Sequence, residues 1–464
     1  MYKKQHIHFV GIGGIGMSGL AQILLNLGYK VTGSDLCETE ITRSLRKLGG
    51  TIYNGHAPEN IQGADVVVIS SAIRKHNFEV QEALSSQIPV IPRAEMLAEL
   101  MRLKKFGVAV AGAHGKTSTT SMISSVLRSA GLDPTVIIGG KVNGIGSNAY
   151  WGQGEFLIAE ADESDGSFLR LTPSIVVVTN IDREHLDYYS DLNAIMRCFL
   201  DFIDKIPFYG LAILCGDNPP LREMLSVVKK RIMTYGTGPE CDLQARDISF
   251  KGLGVSFNAW WKGSELGAIQ LKIPGLHHVR NSLAALALGL ELEIPFHKIQ
   301  AGLSSYEGVG RRFEILGETE GIMVVDDYAH HPTEIVATLK AARACWPERR
   351  LVVLFEPHRY TRTQALMDDF TTAFGEADEL WLTEIYPASE TPIVGVSGKR
   401  LARNMRNKRG VTVHYIESCG DLPHAIMSSL QEGDVVMTLG AGAIGHMGPR
   451  ILDMLKTKES VVAL

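Results

Sequence analysis

The stretch AGAHGKTSTT, residues 111–120, restricts the fold more than any other. An apolar run, Val108, Ala109, Val110 and Ala111, leads into it. The segment after it, Ser118 to Ala130, carries Met122, Ile123, Val126 and Leu127 at helical spacing. A buried strand that turns through glycines into a helix is the building unit of an α/β sheet. The backbone amides of such a turn, together with the partial positive charge of the helix N-terminus, hold an anion, and Gly112 and Gly115 let it approach closely. Lys116 can reach the outer phosphates of ATP, and the Thr117 hydroxyl is placed for the accompanying Mg2+. Ala113, His114 and Ser118 complete the cradle. The usual spacing requires glycine at position 110, where this chain has Val110, so the loop is a shortened G-x-x-G-K-T. A bare G-K-T is often an ordinary turn with a solvated lysine; the flanking strand and helix favour phosphate here.

A chain of 464 residues exceeds one core and suggests about three domains. Charged residues are 21% and hydrophobic residues 45%, which describes a globular protein. The net charge of −5 is spread without long runs, so there is no basic footprint for nucleic acid or acidic lipid, and phosphate binding must be local. The six cysteines contain no C-x-x-C pair, which argues against a zinc knuckle or a disulfide framework. The N-terminal MYKKQHIHFVGIGG lacks a long apolar leader, and no apolar run is long enough to span a membrane. These features predict a cytoplasmic protein, and a monomer or weak homodimer is expected.

Residues 7–35 read as strand, glycine turn, helix and second strand. Gly11, Gly13 and Gly16 match G-x-G-x-x-G, with Gly14 and Ile15 inside the turn and Asp35 at the end of the second strand. That is the dinucleotide fingerprint, but the turn itself recognises only a diphosphate, so a nucleotide sugar fits as well as a dinucleotide. A strand at Val66 to Ile69 ends in Ser70 and Ser71, followed by Arg74; these are ligand contacts or loop-capping groups. The first domain boundary falls near Leu103.

Two further apolar strands end in polar clusters. FLIAEADESDGSFL, 156–169, turns acidic at Glu160, Asp162, Glu163 and Asp165, and IVVVTNIDREHLDYY, 175–189, carries His185. Four acids are commonly a solvated turn, but beside a phosphate loop the first of them, Glu160, is favoured as a Mg2+ ligand. His185 is equally a metal ligand or a structural histidine. Residues 240–273 read as an antiparallel meander, and His277, His278, Arg280 and Asn281 line a helix start suited to a nucleotide. YEGVGRRFEILG, 306–317, reads as a linker with the second boundary near Gly310 and with Arg311 and Arg312 able to face phosphate. Strands at 322–326, 351–355, 380–384, 411–416 and 434–439 then alternate with helical patterns. DDYAHHPTE and EPHRYTRT gather polar groups at one sheet edge, where a second substrate can dock. GAGAIG, 440–445, repeats G-x-G-x-x-G without a matching acid and reads as packing geometry.

FVGIGGIGMSG, GAHGKTSTT, AEADESDGSFL, TNIDREHLDYY, GRRFE, DDYAHHPTE and HRYTRT, in this order, resemble the Mur ligase family along essentially the whole chain. The resemblance implies three α/β domains: an N-terminal Rossmann-like unit for a UDP-sugar (1–103), a central ATPase with a parallel sheet and a small antiparallel part (104–309), and a C-terminal Rossmann-like unit for an amino acid (310–464). It implies ATP and Mg2+ on Lys116, Thr117, Glu160 and His185, nucleotide contacts from Asn281, Arg312 and Asp327, and substrate contacts from His330, Arg359 and Arg362. The implied reaction joins L-alanine to the lactyl carboxylate of UDP-N-acetylmuramate through an acyl phosphate. One departure is GLHHVRN, 275–281, where His278 replaces an asparagine expected to face adenine. The rivals are a relative that attaches a preformed tripeptide, an NAD-dependent oxidoreductase that leaves GKT idle, and a nucleotide switch without an acyl acceptor.

Overall fold

The computed structural model describes residues 5–70, 72–74, 76–140, 148–406 and 411–462; Ser71 lies outside them. Three sheets follow one another along the chain. The first has five parallel strands in the spatial order Thr51–Asn54, Lys30–Asp35, His6–Val10, Val66–Ile69 and Val90–Pro92. His6–Val10 is buried along its length. The strand order reverses there, so its carboxyl end opens a crevice, and the glycine turn into the Ile15–Asn26 helix lies at that point.

The second sheet has ten strands. Its parallel centre runs Ile232–Gly236, Leu211–Cys215, Ile175–Val178, Phe106–Ala111, Phe156–Glu160 and Thr135–Ile137. Fully apolar strands such as Ile175–Val178 belong in a sheet covered on both faces. The expected meander is present as Leu243–Lys251, Gly254–Trp261 and Ser264–Leu271, antiparallel to one another at one edge. The Lys116–Ser129 and Leu276–Glu291 helices pack together over this sheet and bring the phosphate loop beside Asn281.

The third sheet runs Glu314–Thr319, Ile322–Asp327, Val435–Leu439, Leu351–Phe355, Glu379–Leu382 and Thr412–Tyr415. All but the first strand are parallel. Glu314–Thr319 corrects the linker reading of 306–317, because the second half of that stretch is an antiparallel edge strand. Its register shifts between Ile315 and Gly317, which breaks the alternation by which a strand is read from sequence. One continuous apolar cluster spans the first two sheets, whereas the third has its own clusters on its two faces. The C-terminal unit therefore meets the rest largely through polar contacts.

A buried carboxylate organises the first unit. Glu79 accepts from the Ser34 hydroxyl at 2.6 Å and from Asn60 Nδ2 at 2.6 Å, and His56 Nδ1 lies 2.9 Å away. His8, fully buried like Glu79, approaches at 3.7 Å. Burial opposes the charge, but the nearby His8 ring and the hydrogen bonds from Ser34 and Asn60 hold the carboxyl at about 2. Its stabilising contribution is present above the ordinary carboxylate value of 4.5 and is lost as pH falls towards about 2. Glu79→Ala leaves these donors buried without their acceptor, and calorimetry at neutral pH is expected to show a loss of about 3 kcal/mol. The deficit relative to wild type should shrink as the pH is lowered below 4.5.

Candidate active site

The phosphate loop is set by its neighbours. Gly112 has φ 129°, and a Cβ there would collide with Thr179 Oγ1 and stand 2.9 Å from the Asn180 carbonyl. Gly115, at φ 81°, caps the Lys116–Ser129 helix and packs against Asn281, whose Oδ1 would stand 2.8 Å from a Cβ at that position. Both glycines are required by left-handed backbone and by space. Thr179 and Asn180 close the loop from the next strand, each donating to the His114 carbonyl, at 2.6 and 2.9 Å.

Lys116 is folded back on this loop. Its Nζ donates to the Gly112 carbonyl at 2.6 Å and to Glu163 Oε1 at 2.7 Å. Burial opposes its charge, and the carboxylates of Glu163, Asp162 and Glu160 more than restore it, leaving the pKa raised. Glu160, at the end of the Phe156–Glu160 strand, accepts the Gly139 amide at 2.8 Å. Its pKa is raised by burial against the opposing pull of that amide, Lys116, the Thr117 hydroxyl and Arg312. Glu163 is also raised, chiefly by burial, and its buried Oε2 has no hydrogen-bond partner among the described residues. His185 stands 3.8 Å from Glu163 in left-handed backbone, φ 54°. Burial lowers its pKa, which keeps a ring lone pair free. A hydroxyl, buried carboxylates and a neutral imidazole around one loop suit a divalent cation, so the residues fit Mg2+.

The third unit closes the site from above. His114 Nε2 lies 2.9 Å from Asp182 and its Nδ1 3.2 Å from Glu334 Oε1. Burial disfavours the imidazolium, but Glu334 and Asp182 raise its pKa to about 10. Thr333 Oγ1 donates to Asp182 at 2.7 Å, and the His331 ring lies 4.7 Å from the His114 ring, tilted by 43°. Arg312 lies 3.7 Å from Glu334 and over Tyr328. Asp327 accepts the Phe313 and Ala329 amides, both at 2.7 Å, and burial moves it up to about 6. Arg311, in contrast, is bound to Asp326 and the Gly440 carbonyl and serves the fold.

These elements enclose a cavity of about 1070 Å³ lined from all three units: Ile15, Gly16 and Arg93; Lys116, Thr117, Glu160 and His185; Arg312, His330 and Arg362. A smaller cavity of about 240 Å³ adjoins it, sharing His114, Gly115, Arg312 and Glu334 and adding Ser118, His278, Asn281 and Asp327. His278 is buried there with Nδ1 2.6 Å from the Pro274 carbonyl. Of the predicted glycine-turn residues, Gly11, Gly13 and Gly14 stand behind Ile15 and Gly16, and Asp35 accepts the Gly13 amide at 2.8 Å. Ser70 and exposed Arg74 are outside the main cavity. Arg359 faces Asp187 at 3.4 Å in a side cleft of about 210 Å³ that it shares with Arg362. Sequence reading missed Arg93, Asp182, Glu334 and the pairing of Lys116 with Glu163. Only Glu163 and Asp182 carried a signal, as acids that follow buried strands.

A phosphate loop between two Rossmann-like units that close on it defines the class, and the chain belongs to the Mur ligase family. Residues 6–105 match the Mur ligase family, catalytic domain; 110–289 the Mur ligase middle domain; and 311–442 the Mur ligase, glutamate ligase domain. Its curated relatives include UDP-N-acetylmuramate–L-alanine ligases of Trichlorobacter lovleyi and of Geobacter sp. strain M21. Each is 56% identical, over 97% of this chain and 99% of the first, and over 99% of this chain and 100% of the second. The solved UDP-N-acetylmuramate–alanine ligase of Thermotoga maritima superposes with a TM-score of 0.84 at 30% identity, covering 98% of this chain and 99% of that one. The murein peptide ligase of Psychrobacter arcticus gives 0.71 at 25% identity, covering 97% and 98%.

His114 donates to Asp182 and to Glu334 of the third unit at the same time only while protonated. A pKa raised above the unfolded value of 6.5 contributes stability that is full below 6.5 and is lost as pH rises through about 10. The melting temperature of the unliganded protein should fall over that interval, and His114→Gln should flatten the slope in a calorimetric pH series.

Proposed function

We infer that this protein is an ATP-dependent amide-forming ligase that joins L-alanine to the lactyl carboxylate of UDP-N-acetylmuramate, releasing ADP and phosphate, for cell-wall precursor synthesis. The observation that carries the reading is the single cavity in which a diphosphate turn, a phosphate loop and a basic edge of the third unit meet. The identity of 54–56% to alanine ligases over nearly full length favours L-alanine over a tripeptide. The oxidoreductase reading leaves Lys116 and its acidic loop without a task.

A carboxylate is a poor electrophile, so its oxygen must first become a leaving group, which transfer of the ATP γ-phosphoryl accomplishes. We place the UDP-sugar on the turn at Gly11 to Gly16, with its carboxylate directed to the phosphate loop. Lys116 leaves Glu163 to meet the phosphoryl oxygens, while the loop amides hold the remaining phosphates. Thr117, Glu160 and His185 would hold Mg2+, which supplies further neutralisation of phosphoryl charge. Arg312 and Asp327 orient the nucleotide, and Asn281 and His278 border the base. Arg359 and Arg362 receive the amino-acid carboxylate. Burial lowers the His330 pKa to about 4, and its Nδ1 donates to the Tyr328 carbonyl at 2.9 Å, so at neutral pH it offers a lone pair at Nε2. The amine then attacks the acyl phosphate and phosphate leaves. Enclosure by three units excludes water from that intermediate. We place the reaction in the cytoplasm, carried out by a monomer or weak dimer.

Purified protein with ATP, Mg2+ and UDP-N-acetylmuramate should release phosphate only when an amino acid is added. Alanine should lead glycine, serine and the tripeptide; a tripeptide preference would reverse the assignment. Lys116→Ala should lower turnover on the order of 10²–10³-fold with the fold retained by circular dichroism.

A further inference from the structure

Arg93 opens the Arg93–Arg102 helix at the carboxyl edge of the first sheet, directly after the Val90–Pro92 strand. Its Nη2 donates to Asp162 Oδ2 at 2.8 Å, across to the acidic loop of the second sheet. The same guanidinium lies against Gly16: a Cβ built there would stand 2.7 Å from Nη1 and 3.3 Å from Cζ. The last glycine of the G-x-G-x-x-G turn thus leaves the room that this arginine occupies. Among the described residues of the first unit that line the large cavity, Arg93 is the one cation.

The Ile15–Asn26 helix begins at Gly14 with no side-chain cap hydrogen bond and no acid in its first turn. Met17 donates to the Gly14 carbonyl at 3.0 Å, so among the described residues the Ile15 and Gly16 amides remain for an anion, but amides alone do not neutralise a diphosphate. A guanidinium beside the third glycine supplies that charge, in the planar form that pairs with two phosphate oxygens. The present partner is exchangeable, since the Arg93 and Asp162 side chains are 29% and 42% exposed, and such pairs are weak. The Arg93–Arg102 helix also keeps a second tie to the middle unit, Arg170 to Glu95 at 3.0 Å, which does not involve Arg93.

We propose that Arg93 binds the diphosphate of the sugar nucleotide over Gly16, and that Asp162 holds the guanidinium in place until the diphosphate displaces it. The proposal rests on the ligase reading of the cavity. It adds a substrate-binding residue that lies far along the chain from the glycine turn it serves.

Titration calorimetry of the full-length protein with UDP, and separately with uridine, tests it. Arg93→Ala should weaken UDP roughly tenfold to a hundredfold and leave uridine unmoved, with Arg93→Lys in between. Gly16→Ala, which displaces the guanidinium, should weaken UDP likewise, and the double variant should be no weaker than Arg93→Ala alone. Asp162→Asn frees the arginine and should bind UDP at least as tightly as wild type. Unchanged UDP affinity in Arg93→Ala overturns the proposal, as does an Asp162→Asn variant weakened as much as Arg93→Ala, which marks a bridge between units only. Retained ATP affinity in the Arg93 and Gly16 variants reports an intact middle unit. A wild-type protein that binds neither UDP nor UDP-N-acetylmuramate overturns the ligase reading and this proposal with it.

Discussion

The charge on Lys116 is the constraint to which the rest of the site conforms. An ammonium taken out of water on a loop of backbone carbonyls persists only beside carboxylates, and Glu163, Asp162 and Glu160 supply them from the loop after the adjacent strand. Burial in turn raises the pKa of Glu160 and Glu163, and among the described residues Glu163 keeps an unpartnered oxygen. The magnesium nucleotide proposed above would bring this cluster both a polyanion for Lys116 and a cation for the acids.

The same principle joins the units. Because the third sheet has its own apolar clusters, it meets the second unit through charges: His114 with Glu334, Arg362 with Glu184, Arg183 with Asp369. Contacts of this kind exchange partners at small cost, unlike a shared apolar core. An active site assembled from three units can then admit substrates and close around them. The first and second units, sharing one core, form the firmer half.

Much of this was legible in the chain itself. The phosphate loop, the glycine turn, Glu160 and His185 all follow short buried strands, and parallel strands deliver whatever follows them to one edge of a sheet. The edge strand Glu314–Thr319 was hidden because its register shift at Gly317 breaks the alternation. Arg93 was hidden because it belongs to an ordinary amphipathic helix, with nothing around it in sequence to mark a ligand.

The sequence by itself determined the α/β class, the three-part organisation and the glycine turns to which we assign phosphate chemistry, because strand, glycine turn and helix are local patterns of spacing. Only the tertiary structure decided which charge answers which: Lys116 takes Glu163 as its hydrogen-bonded partner, with Glu160 at longer range, His114 takes Glu334 from another unit, and Arg93 lies in the space over Gly16. Those pairings depend on how the three sheets dock. Docking is set by burial and charge balance summed over surfaces, and no short window of sequence encodes it.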